Sequence, residues 1–284
     1  MKNNAPTSRI GFWLGATWVI LLLLAPGTVR GGETSAFQKV LKEHSDAVVT
    51  IKLLLTLKGG FAGPDGQQME SEAAGIVIDP AGVILASSTE IGGLPPALRS
   101  LLSRVGEMSM IPSDIKILVG DDPDGLEATI IARDSDLDLV WLRIKNPGDK
   151  SFPAMNLTDS ASPRAGQKLL GLMHMDKYFD RTIVIEEFRV AGITTKPRRL
   201  YVPGSQLGEG FCTPVFTLEG KFVGITVLQL PDIEVAPDNP FAAMSQMADI
   251  ELLSGGFILP ADAISKATAR ALASEAQAES EEAE

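Results

Sequence analysis

One cysteine and two histidines hold most of the nucleophilic and acid–base potential near neutral pH in this 284-residue chain. Cys212 sits in Gly208-Glu209-Gly210-Phe211-Cys212-Thr213-Pro214. A thiol attacks as its thiolate, so it needs a neighbouring base or a strong dipole to lower its pKa. Both histidines lie far from it in sequence: His44 precedes the first long apolar run, and His174 falls in Gly171-Leu172-Met173-His174-Met175-Asp176. His44 therefore reads as a surface residue at a helix end. His174 reads as a loop or strand-end residue with structural hydrogen bonds, and Cys212 as a buried thiol. A lone cysteine forms no intramolecular disulfide, and two histidines do not complete a zinc set, so neither a metal nor a cofactor is expected.

The elements that would position these groups are short and mostly extended. Gly and Pro number 27 and 18, a turn-rich count that favours many short strands. Residues 35–44 have helical spacing at Phe37, Val40 and Leu41 and lead into a β-branched strand, 47–57. Two apolar runs around Asp79-Pro80-Ala81-Gly82 predict a hairpin over 73–86, because proline presets φ and glycine accepts a positive φ. Leu98, Leu101, Leu102 and Val105 place one apolar face on a short helix at about 97–105. That helix either caps a barrel end or faces a partner. Strands are expected again at 114–119, 127–132 and 137–144, then a linker at 146–153. A second set follows at 168–173, 182–195, 214–216, 221–230 and 256–259. Between the last two lies a Pro-punctuated loop, 231–254, with one apolar turn at Phe241, Met244 and Met247.

Two groups of about six strands joined by a linker predict an all-β protein of two six-stranded antiparallel barrels, with short helices at its N-terminus, near 97–105 and at its C-terminus. The first barrel is expected over 35–148 and the second over 149–268. Residues 269–284 are expected to form an acidic, disordered tail, since the last ten positions hold five glutamates and no base. At the other end, Lys2 and Arg9 precede an apolar run from Phe12 to Ala25 and a break at Pro26-Gly27. This is the pattern of a secretory signal over 1–31, and a run of fourteen residues is short of the ~20 needed to span a bilayer. Export to a periplasmic or extracellular space is expected, with an uncleaved anchor at 12–25 as the alternative. Removing 1–31 leaves 22 basic and 36 acidic residues, a net charge of −14, which disfavours nucleic acid and anionic lipid as partners.

Three blocks, in order, resemble the core of HtrA/Deg-type serine proteases, which have the chymotrypsin (trypsin-like) fold. Residues 75–86 resemble the hairpin leading to the catalytic histidine, 133–144 the segment bearing the catalytic aspartate, and 208–225 the nucleophile loop with its strands. Residues 256–264 look like the last strand and the start of a helix, and no PDZ-like segment is expected after them. The resemblance puts Thr89 at the position of the histidine, Asp138 at the aspartate and Phe211 at the serine. A register shift of one residue would bring Cys212 to the nucleophile position instead. Thr89 cannot serve as a base near neutral pH, Phe211 carries no nucleophile, and Thr213 stands where the family has a glycine of the oxyanion loop. None of these positions is expected to be catalytically competent. The resemblance thus implies an exported pseudoprotease that binds protein or extended peptide segments. The alternatives are an active peptidase using Cys212, or a structural protein that keeps the fold alone.

Overall fold

The computed structural model describes residues 32–59, 66–96, 99, 109–120, 122, 124–205, 210–230 and 256–282. The expected signal segment over 1–31, nearly all of the helix expected at 97–105, Gly208 and Glu209, and the turn expected at Phe241, Met244 and Met247 lie outside the described residues.

An opening helix, α1 (Gly32–His44), precedes six strands: β1 (Val48–Lys58), β2 (Gln67–Asp79), β3 (Val83–Ser87), β4 (Ser109–Leu118), β5 (Leu126–Asp134) and β6 (Leu139–Ile144). These close in the order β1-β2-β3-β6-β5-β4. The second set comprises β7 (Lys168–His174), β8 (Ile183–Ile193), β9 (Tyr201–Pro203), β10 (Pro214–Thr217), β11 (Phe222–Val227) and β12 (Phe257–Pro260). It closes as β7-β8-β9-β12-β11-β10, the same circuit repeated. A final helix, α2 (Ala261–Glu282), follows. Among the described residues no helix is long and apolar enough to cross a membrane.

The all-β double barrel expected from the strand pattern is what the chain forms. The 79–82 turn closes as predicted: the Gly82 amide donates to the Asp79 carbonyl at 2.9 Å, and Gly82 has φ +90°. The three-residue strand β9 had no counterpart in the sequence reading, because it is too short for any periodicity to register.

Burial explains the unbroken apolar runs of β3 and β6. Ile84, Ala86, Val140 and Leu142 face the core of the first barrel, while Val83, Leu85, Leu139 and Trp141 face the layer between the barrels. A strand buried on both faces has no reason to alternate. The larger cluster is that inter-barrel layer, and it also contains Cys212, Phe216, Phe222 and Leu259. Gly224 of β11 has no alternative, since a Cβ there would run into the Leu259 carbonyl.

Each terminal helix crosses to the distant barrel. α1 was expected with the first barrel but lies on the second: Lys39 Nζ donates to the Glu219 carbonyl at 2.6 Å, and His44 stacks on Phe216 with ring centroids 4.4 Å apart. α2 returns to the first barrel, where Thr268 accepts the Trp141 indole N–H at 3.0 Å and Glu275 takes a two-pronged bond from Arg143. The composition of 269–284 suggested an unfolded tail, but the helix continues to Glu282. Buried Ala271 and the Glu275–Arg143 pair dock its middle turns, a contact between distant segments that tail composition cannot reveal.

Candidate functional site

Asp138 ends the tight turn between β5 and β6 with φ +58°, a left-handed conformation in which aspartate is among the favoured residues. Its carboxylate is buried and accepts four hydrogen bonds. Oδ1 takes the Thr89 amide at 2.8 Å and the Thr89 hydroxyl at 2.7 Å. Oδ2 takes the Ser87 hydroxyl and the Leu228 amide, each at 2.9 Å. Burial pushes the carboxyl above its ordinary range, while the Leu228, Thr89 and Ser87 donors pull it back. Because Leu228 follows β11, one carboxylate ties the two barrels together. Arg133 braces the same segment by donating to the Ser88 and Ile91 carbonyls at 2.8 and 2.9 Å.

The next residue along, Glu90, reaches the second barrel. Its Oε1 accepts the Phe211 amide at 2.7 Å, and no partner among the described residues has hydrogen-bond geometry to its buried Oε2. Burial raises this carboxyl from 4.5 to about 7; the Phe211 amide opposes the rise, and the nearby Asp138 charge adds to it. Glu90 was not singled out from the sequence. The available signal was one acid between Thr89 and the fully buried Ile91.

Backbone conformation sets which side chain of the 210–213 loop enters the core. Cys212, not Thr213, takes the left-handed conformation, with φ +63°. Its side chain turns into the inter-barrel core, where Sγ lies 3.3 Å from the Leu85 carbonyl. Burial drives the thiol pKa well up, and the Glu90 and Asp138 carboxyls push the same way. Phe211 is half-buried, with its ring beside Gly256 at the start of β12. Thr213 keeps an ordinary φ; its amide donates to the Thr226 hydroxyl at 2.9 Å and its carbonyl accepts the Thr226 amide at 3.0 Å.

Neither histidine hydrogen-bonds with this group. His44 Nε2 bonds the Gly220 carbonyl at 3.1 Å, and His174 Nδ1 lies 3.2 Å from the Thr50 hydroxyl. Burial lowers the His174 pKa, and Arg181 lowers it further. No group of three His, Cys, Asp or Glu side chains among the described residues is arranged to hold a metal ion.

Beside Asp138 a cleft of about 880 Å³ runs between the barrels. Pro95 and Asp136 contribute from the first barrel, and Lys196, Arg198, Leu228 and Phe257 from the second. β12 begins at Phe257, opposite Val227, so Leu228–Leu230 run past the end of that strand pairing.

The structure is similar to the crystal structure of Deg5, with a TM-score of 0.52 and 16% sequence identity over 82% of this chain and 92% of that one. The chain has the trypsin-like fold. No family model matches it, and no curated protein does. On that fold Thr89 lies against Asp138, and Glu90 lies against Phe211, so two adjacent residues of one turn engage both of the other positions picked from the sequence.

Proposed function

We propose that this is an exported protein of the trypsin-like fold that has given up hydrolysis and binds extended protein segments in the cleft between its barrels. The observation that carries the reading is the state of Asp138. Where an imidazole would be oriented, a threonine supplies two of the four bonds that saturate the carboxylate. The Phe211 amide, which by position would help to hold an oxyanion, already donates to Glu90. Cys212 is buried with a raised pKa, the opposite of the exposed, electropositive setting that activates a thiol.

Binding by strand addition suits what remains. Gln229 and Leu230 lie beyond the β11–β12 pairing, and the cleft beside them is large enough for side chains of a bound segment. The test is to incubate the purified protein with unfolded casein and, in parallel, with a pool of labelled extended peptides. Binding without cleavage is expected. Robust hydrolysis, abolished by Cys212→Ala or by a serine-directed inhibitor, would overturn the proposal.

A further inference from the structure

The turn between β8 and β9 concentrates positive charge in a chain of net charge −11: Lys196, Arg198 and Arg199 fall within four residues. None of the three is in an ion pair among the described residues. Arg199 is committed elsewhere, its guanidinium 5.1 Å from the Tyr201 ring centroid and bonded to the Tyr201 hydroxyl. Lys196 and Arg198 instead line the inter-barrel cleft. Arg198 Nη1 donates to the Asp136 backbone carbonyl at 2.6 Å, which orients the guanidinium without neutralising it. The same cleft has an apolar floor in buried Leu200 and half-buried Leu228, Leu230 and Phe257, and Asp136 is the one carboxylate of its described lining.

We infer that the cleft selects acidic peptide segments: an apolar residue seated on Leu200, Leu228 and Phe257, with neighbouring carboxylates meeting Lys196 and Arg198. This rests on the peptide-binding reading above and names the chemistry of its ligand. An acidic segment is repelled by most of this protein's surface, so a wall with excess cation is where it settles. The planar guanidinium of Arg198 matches a carboxylate, and the Asp136 carbonyl already holds one of its nitrogens. The apolar floor supplies affinity, and the two cations supply discrimination. A polynucleotide is the poorer fit, since its continuous phosphates would meet two cations here and acidic surface beyond them.

The experiment is fluorescence anisotropy on the full chain with three labelled nonapeptides that share one apolar centre and differ in flanking Glu, Gln or Lys. The Glu peptide is expected to bind about tenfold more tightly than the Lys peptide at low salt, and the gap to narrow in about 0.5 M salt. Lys196→Glu combined with Arg198→Glu should erase or reverse the preference. Lys196→Ala removes an exposed side chain and should shrink it severalfold at an unchanged melting temperature, which covers the case of a misfolded double variant. Equal binding of all three peptides, retained in the variants, would overturn the acidic preference and leave the peptide cleft standing. Binding of none would remove both. Tighter binding of a single-stranded oligonucleotide of matched charge than of the Glu peptide would overturn the assignment in favour of a polyanion site.

Discussion

Thr89 donates twice to one oxygen of Asp138, through its amide at 2.8 Å and its hydroxyl at 2.7 Å. The carboxylate is a buried clasp between the barrels, and its removal should be felt as lost stability. Asp138→Asn turns an acceptor atom into a donor facing buried donors and should destabilise by about 2–3 kcal/mol. Thr89→Val keeps the amide bond and should cost about 1 kcal/mol. Urea denaturation of the two variants checks both the sizes and their order.

Glu90 gives the fold a pH dependence whose sign can be worked out. Its carboxyl rises from 4.5 to about 7 on folding, so the folded state holds the proton more tightly. Its contribution is present in full below pH 4.5 and is lost as the pH rises through 7. Glu90→Gln should therefore gain on the wild type by about 3 kcal/mol between pH 4.5 and 8. Paired denaturation curves at those two pH values measure it, and parallel pH profiles would contradict the assignment.

Cys212 should behave as a core thiol. In the native protein an aromatic disulfide reagent should label it at least ~100-fold more slowly than in concentrated guanidinium chloride, at a rate set by opening of the structure. Rapid native labelling would place the side chain in the cleft instead.

The last helix should report through Trp141, the sole tryptophan beyond residue 31. Thr268→Val leaves the buried indole N–H without its acceptor and should destabilise by about 1–2 kcal/mol. Tryptophan fluorescence during unfolding follows the loss directly.

The strands other than β9 were legible in the sequence because their cause is local: β-branched and apolar runs ended by glycine and proline, as at 79–82. The resemblance set Thr89 and Asp138 at two positions of one site, but the hydrogen bonds between them come from the structure. What the tertiary structure alone decided lies where the two barrels meet. Whether Phe211 or Cys212 enters the core depends on the positive φ of Gly210 and Cys212, and the two choices have the same local composition. The capture of the Phe211 amide by Glu90 joins residues 121 positions apart, and α1 packs against a strand turn 176 positions beyond His44. Periodicity along the chain carries no information about such contacts. They exist only once both barrels have closed and their facing sides share one apolar layer.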